Sequence, residues 1–415
     1  MSRYLFHLLT TLRKVWVRIV GFAVLAAVTA ALAQVLGPLL PHNMSQRLGA
    51  EAVEDILSIL TSSMLAVTTF SLSVAVSAFA AAASSATPRA TALLQEDPTT
   101  QNVLATFLGA FLFGLLGLIG LKAQLYDSAG RVILFIVTVG VVGMVVVALI
   151  RWIGHLMVFG RMGDTLTRIE NAATKALRER LETPYLGGCP ATGGLPVSAR
   201  KIAARKTGYI QHIDMQALQD CAEAADGRLH LLCLPGSFVV EGAPVLLLEG
   251  GALSEDQTKS ASKAITIGDV RTFRVDPRFG IIVLTEIASR ALSPAVNDPG
   301  TAIDVLGRLL RILSLWRDPV ETEADYPNVI VPRITAQDLV EDAFRPIARD
   351  GAALVEVQVR LQKTLTALQN AAPETFGDPV DRMRQYALAR SEAADMAAAD
   401  LAVVHSVIRG ADHGV

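Results

Sequence analysis

The sequence predicts a mainly α fold: a polytopic four-helix transmembrane domain followed by a cytoplasmic α+β domain, itself a small β-rich module plus a helical bundle. Three observations carry this. Four windows, 19–40, 56–84, 103–121 and 132–150, are long and apolar enough to span a bilayer and contain no Asp, Glu, Lys, Arg or His. Charged residues make up only 18% of the 415 positions, against about 25% in a soluble protein, and the shortfall lies almost wholly in the first 160. Beyond residue 200 the apolar pattern changes to short strand-like runs and then to helical periodicity. The expected division is 1–158 for the membrane domain, 159–199 for a juxtamembrane helix and linker, 200–252 for the β-rich module and 253–415 for the cytoplasmic helical domain.

The N-terminus lacks the short apolar core and small-residue cleavage site of a secretory signal, so the first span is expected to stay as an anchor. Orientation follows from the flanking Lys and Arg. Residues 1–18 carry Arg3, Arg13, Lys14 and Arg18, whereas the first loop carries Arg47 beside Glu51, Glu54 and Asp55. After the fourth span come Arg151, Arg161, Arg168, Lys175, Arg178 and Arg180. Both termini are therefore expected in the cytoplasm.

The second span is crowded with hydroxyls. At 100° per residue Ser58, Ser62, Thr69, Ser73, Ser77 and Ser84 share one face about 100° wide, with Thr61, Thr68 and Ser71 off it. One reading is a helix lining a pore. The other is packing, since small hydroxyl residues let helices approach closely and bond their own i−4 carbonyls. No span holds an ionisable group, which argues against proton-coupled transport and voltage sensing. In the third span Gly109, Gly114, Gly117 and Gly120, with Ala105 and Ala110, form small-xxx-small spacings expected at helix seams.

The fourth span is expected to run without a break into a juxtamembrane helix ending near Thr183-Pro184, with His155 as an interfacial polar anchor. A Gly/Pro-rich linker, "PYLGGCPATGGLPVS", follows. "GYIQHID" predicts a strand, "MQALQDCAEAAD" a helix, and "RLHLLCLPGSFVVEGAPVLLLEG" two strands around a glycine turn. The "PGSFVVEGAPVLLL" stretch resembles the strand-turn-strand of biotinyl and lipoyl barrels in shape alone, because no lysine stands at the turn. His212 and His230 are isolated within the module and are expected to be strand-surface or core residues. From Ser254 the pattern is helical. Leu354, Val357, Leu361, Leu365 and Leu368 make one stripe, and 380–408 a near-heptad seam in a last helix.

Asp-Pro occurs at 97–98, 276–277, 298–299, 318–319 and 378–379. Asp at the cap and Pro at the first helical position is a start signal. The elbow "SRALSPAVNDPGT" is on that ground a corner between two helices. Nearby Arg271, Arg274, Arg278 and Arg290 leave two readings open: an anion site at a helix N-terminus, or pairing with Asp269, Asp276, Glu286 and Asp298.

The stretch "GDVRTFRVDPRFGIIVLTEIASRALSPAVNDPGTAIDVLGRL" resembles a bacterial membrane-protein family, domain of unknown function 2254. "SSATPRATALL", "LGAFLFGLL" and "GYIQHID…PGSFVVEGAPVLLL" also match, so the likeness spans nearly the whole chain. It implies a bacterial cytoplasmic (inner) membrane location. It also implies a functional or structural centre at Arg271, Thr272, Ser293, Pro294, Asn297, Asp298 and Pro299, to which the local reading adds Arg290. The second span is richer in alanine than the family pattern.

No H-E-x-x-H, G-x-S-x-G, P-loop or G-x-G-x-x-G motif occurs, so no enzyme is predicted, with no catalytic residue, cofactor or metal. Cys189, Cys221 and Cys233 fit neither a disulfide framework nor a zinc site. A net charge of −2 gives no reason to expect nucleic acid. The leading expectation is an oligomeric channel or passive transport protein with a cytoplasmic regulatory domain. Its partners would be the lipid bilayer, further copies of itself (a homo-oligomer, because four spans are too few to enclose a path), and an ion or small solute. Glu51, Glu54 and Asp55 outside and Arg89 inside are candidate mouth charges. The alternative is a membrane-anchored sensor or scaffold without permeation.

Overall fold

The computed structural model describes residues 15–36, 50–95, 97–196, 198–317, 323–394 and 396–412. The chain divides into two compact units, Met1–Thr165 and Leu166–Val415.

In the first unit α1 (Val15–Leu36), α2 (Ala50–Ser85), α4 (Pro98–Lys122) and α5 (Ser128–Leu156) contain four stretches long and apolar enough to cross a membrane. A short α3 (Pro88–Gln95) joins α2 to α4. Each helix outruns its expected window except α1, where positions 37–40 of that window lie outside the described residues. The third spanning helix, α4, is the hub and packs against α1, α2 and α5. Its glycines explain why. A Cβ at Gly109 would overlap the Phe22 ring, one at Gly114 the Thr61 hydroxyl, and one at Gly120 the Tyr126 ring. Ala105 and Ala110 are fully buried. The small-residue seams expected in this span are therefore contacts within the unit. Leu57, Phe107, Phe113 and Leu134 fill its interior.

The fourth span does not run on. α5 ends at Leu156 and α6 (Met162–Glu182) begins after a turn. Gly160 adopts φ 77° there, and an added Cβ would stand 3.0 Å from Ala78 Cβ. A left-handed residue breaks the helix, and only glycine fits so close to α2.

Among the described residues, all eight strands lie in the second unit. The five-stranded sheet has the order β1-β8-β4-β6-β2, from β1 (Gly188–Pro190), β2 (Arg200–Ala203), β4 (Arg228–Leu231), β6 (Pro244–Glu249) and β8 (Tyr326–Val331). β8 runs parallel to both β1 and β4, whereas β6 is antiparallel to β4 and β2. A three-stranded antiparallel sheet has the order β5-β3-β7, from β3 (Gly208–Ile213), β5 (Phe238–Val239) and β7 (Ile265–Gly268). α7 (Met215–Ala224) packs on β8, and α8 (Glu255–Ala264) on α7.

Three expectations are corrected here. The chain is not wholly helical after Ser254, because β7 and β8 lie beyond it, and the supposed linker supplies β1. The β-rich module is thus assembled from segments far apart in sequence, and β8 is an inner strand that local pattern cannot assign to a sheet. The glycine turn at Gly242, φ 82°, does separate two strands, but β5 and β6 enter different sheets rather than pairing as a hairpin.

The helical part holds α9 (Pro277–Ala291), α10 (Pro299–Leu313), α11 (Ala336–Asp350), α12 (Val355–Ala371), α13 (Pro373–Ala393) and α14 (Ala398–Asp412). α9 packs on α10 and α11, α11 on α13, and α12 on α10, α13 and α14. The stripe Val357, Leu361, Leu365 and Leu368 is fully buried. The expected last helix is two helices, α13 and α14, divided after Ala393, with 394, 396 and 397 not helical among the described residues.

The Asp-Pro signals divide instructively. Asp97, Asp276 and Asp298 cap α4, α9 and α10 by accepting from backbone amides. The pair at 378–379 lies inside α13, which starts five residues earlier at Pro373, and 318–319 is outside the described residues.

Candidate functional site

On α2 the hydroxyl stripe faces outward. Ser58, Ser62, Thr69, Ser73, Ser77 and Ser84 are all exposed on the first unit, and so are Ala66 and Ala80 between them. The buried residues Val53, Leu57, Leu60, Met64, Ser71, Ala75 and Ala82 lie about 180° around the helix at 100° per residue. The stripe is bordered by exposed Leu65, Leu72 and Val76 on one side and Ile59 and Phe70 on the other. Its hydroxyls bond within their own helix: Ser62 donates to the Ser58 carbonyl at 2.9 Å, Thr69 to Leu65 at 2.9 Å, Ser77 to Ser73 at 3.0 Å and Ser84 to Ala81 at 2.8 Å. Of the candidate mouth charges, Glu54 pairs with Lys122 at 2.9 Å.

His155 is not an interfacial anchor. Its Nε2 lies 3.1 Å from Asp97 Oδ2 and 3.2 Å from Thr100 Oγ1, with the His155 and Asp97 side chains less than a tenth exposed. Thr100 gives its amide and hydroxyl protons to the same Asp97 oxygen, at 2.6 and 2.7 Å. A carboxylate only accepts and the hydroxyl proton is already engaged, so Nε2 must carry the proton that faces them. The ring sits between Trp152 and Phe159, with centroids 5.7 and 4.6 Å away. This cluster ties the start of α4 to the end of α5.

The motif residues of the second unit do not form one site. Arg271 and Thr272 precede α9, whereas Arg290, Ser293, Asn297 and Asp298 lie at or beyond its far end, about 22 Å along a 15-residue helix. The elbow is a built corner. Ser293 Oγ donates to the Arg290 carbonyl at 2.7 Å, the Asn297 amide to Ser293 at 2.9 Å and the Asp298 amide to Ala291 at 2.8 Å. Asn297 holds φ 50°, a left-handed position that Asn tolerates. Asp298 accepts from the Thr301 amide and hydroxyl at 3.0 and 2.6 Å, which holds its carboxyl below the usual range.

At the near end a cleft of about 410 Å³ opens, lined by 232–237, Arg271, Asp276, Arg278, Ile282, 332–334 and Asp338. Arg271 pairs with Asp276 at 2.6 Å, and Arg278 clasps Asp342 through Nε and Nη2 at 2.6 and 3.1 Å. Asp276 is 2% exposed, and burial pushes its carboxyl up despite Arg271. Arg180, also buried, donates to the Val275 carbonyl; burial pushes its guanidinium down to about 10, with Asp276 opposing. The expected pairing of arginines with neighbouring acids therefore holds for Arg271, whereas Arg278 reaches to α11. Gly236, φ 96°, lies so close to Asp276 that any Cβ would overlap the carboxylate. The sequence reading missed the contributions of 232–237 and 332–338. Their one visible signal was the capping pattern Thr335-x-x-Asp338 after β8. His230 bonds Glu249 at 2.8 Å, and burial lowers the His212 pKa.

A family model described as a predicted membrane protein, DUF2254, matches residues 13–367. An uncharacterized protein of Mycobacterium bovis and one of Mycobacterium tuberculosis are each 34% identical to the chain over 127 residues, 29% of this chain. The chain spans only 24% of the length of these curated relatives. No solved structure matches it. With four apolar helices and a family match over most of its length, the chain belongs to the DUF2254 family of predicted membrane proteins.

Proposed function

We propose that the protein is an oligomeric channel or passive transport protein in which copies of α2 meet around an axis, with the C-terminal unit as a cytoplasmic regulatory domain. One observation carries this: the hydroxyl stripe lies opposite the buried face of α2, on the outside of a unit whose own interior is filled. Packing within the unit does not account for it. The exposed small residues Ser58, Ser62, Ala66, Thr69, Ser73, Ser77, Ala80 and Ser84 recur at spacings of four, four and three, an 11-residue repeat that suits right-handed crossing of neighbouring helices. Small residues permit close approach, and hydroxyls can replace part of a permeant's hydration.

Purified protein in liposomes should pass a small ion or solute, and Ser73→Leu or Ser77→Leu should block it. Leu72→Ile, on the border of the stripe, should not. If wild-type liposomes pass nothing and the serine variants behave as wild type in cells, the reading fails. A second reading, a membrane-anchored sensor or scaffold, is favoured by the stripe hydroxyls already being bonded to their own helix. In that case α2 seams hold copies together without a path.

A further inference from the structure

We propose that the cleft of the C-terminal unit binds a small phosphorylated anion, with the Arg333 guanidinium as its principal side-chain contact. This goes beyond permeation and stands independently of it.

Topology is the first argument. β4 and β8 are adjacent parallel strands, with Leu229 in register with Val329. Each leads at its carboxyl end directly into a wall of the cleft, 232–237 after β4 and 332–338 after β8. In sheets with helical connections, the crevice beyond the carboxyl ends of parallel strands is where ligands are held. The volume, about 410 Å³, is within the range of small-molecule sites.

Charge is the second. α9 and α11, each 15 residues long, both begin at this cleft, one capped by Asp276 and the other by Thr335. Two helix N-termini contribute positive potential and first-turn amides without helical acceptors. The acids of the cleft are already engaged. Asp276 accepts from Arg271 and from the Arg278 amide, and Asp338 closes a capping box with Thr335 while standing 3.4 Å from Arg278. A cation would have to displace these partners. Arg333, by contrast, is exposed and pairs with no acidic group among the described residues. Arg333 lines the same cleft as the starts of α9 and α11, and a guanidinium fork matches an oxyanion that offers several oxygens at once, as a phosphate does.

The third is how firmly the site is held. Gly236 lets the 232–237 loop lie against Asp276, and Asp276 is locked by Arg271. The "PGS" and "VRTFRVDPR" stretches, distant in sequence, thus share one surface whose geometry is set before any ligand arrives.

The test uses the full chain in nanodiscs of neutral lipid, with binding measured by calorimetry. The probes are inorganic pyrophosphate and water-soluble dihexanoyl phosphatidic acid, at constant ionic strength. Wild type should bind at least one of them. Arg333→Ala should weaken that binding by at least about tenfold, the value of one charge-assisted bond, while leaving the ligand-free melting temperature unchanged. Arg333→Lys should fall between, because it keeps the charge and loses the fork. Binding of pyrophosphate alone assigns a soluble phosphorylated compound, and binding of the phosphatidic acid alone assigns a lipid headgroup. Wild type that binds neither probe, or Arg333→Ala that binds as wild type does, overturns the proposal.

Discussion

Replacing His155 by alanine probes the buried cluster that joins α4 to α5. In wild type Asp97 is 3% exposed and receives three donors on one oxygen: the Thr100 amide, the Thr100 hydroxyl and His155 Nε2. Removing one partner of a buried charged pair costs about 3–5 kcal/mol, chiefly because the remaining charge has lost its compensation. Here both Thr100 donors remain, which favours the lower end. The lost ring also leaves a void beside Trp152 and Phe159, which costs in the same direction but not additively. The expected loss for His155→Ala is therefore about 3 kcal/mol. His155→Gln, which keeps a donor, should lose about half as much. Unfolding by a denaturing detergent, followed by tryptophan fluorescence, measures both. A cycle with Asp97→Asn should return a coupling of about 1–3 kcal/mol. If His155→Ala lies within about 0.5 kcal/mol of wild type, as an ordinary surface substitution would, or if the coupling is zero, the cluster does not hold these helices together.

The membrane orientation predicts that a cysteine replacing Ser45 in the first loop, outside the described residues, labels with an impermeant reagent in intact cells, and that one replacing Ser260 does not; the reverse pattern inverts the topology. Asp298→Ala should cost about 1 kcal/mol as a lost helix cap. Because the Thr301 hydroxyl and amide hold the folded carboxyl low, this contribution is present above the ordinary carboxylate range and is lost as pH falls through the depressed value. Asp298→Asn should therefore flatten the acid limb of a stability profile, and an unchanged limb counts against the cap. Gly236→Ala forces a left-handed alanine onto the Asp276 carboxylate, so it should cost at least about 2 kcal/mol and push the loop off Asp276; a melting temperature equal to wild type would show that the loop is free to move.

What could be read from the sequence follows the range of the interactions involved. The four spans depend only on local hydropathy, and α4 became identifiable as a seam-forming helix because its glycines need no knowledge of their partners. Caps are equally local, which is why Asp97, Asp276 and Asp298 start helices as expected. At 378–379 a longer helix overrides the same signal, since Pro373 already supplies its start. The sheet was illegible for the opposite reason. β1 and β8 pair across more than a hundred residues, and β1 is only three residues long, too short to declare itself by alternation. His155 failed similarly, because its partner lies before the preceding spanning helix and only the fold brings Asp97 within 3.1 Å.

The same distinction separates the two candidate sites. A helical wheel shows that six hydroxyls share a face of α2, but it cannot say which way that face points. That direction is fixed by what buries the opposite face, namely Val53, Leu57, Leu60, Met64 and Ala75 against the rest of the unit. Once those residues are committed inward, the stripe is left on the outside of its unit, and the proposed path would need further copies to enclose it. The motif around α9 underwent the converse change. Its residues form one continuous stretch of sequence, yet a rigid helix of 15 residues holds the two ends apart. The end bearing Asn297 and Asp298 closes into a self-satisfied corner, whereas the end bearing Arg271 and Asp276 is completed by loops from β4 and β8. Chemistry is therefore to be sought where distant segments leave a guanidinium unpaired, at Arg333, and not where neighbouring residues have already used one another's hydrogen bonds.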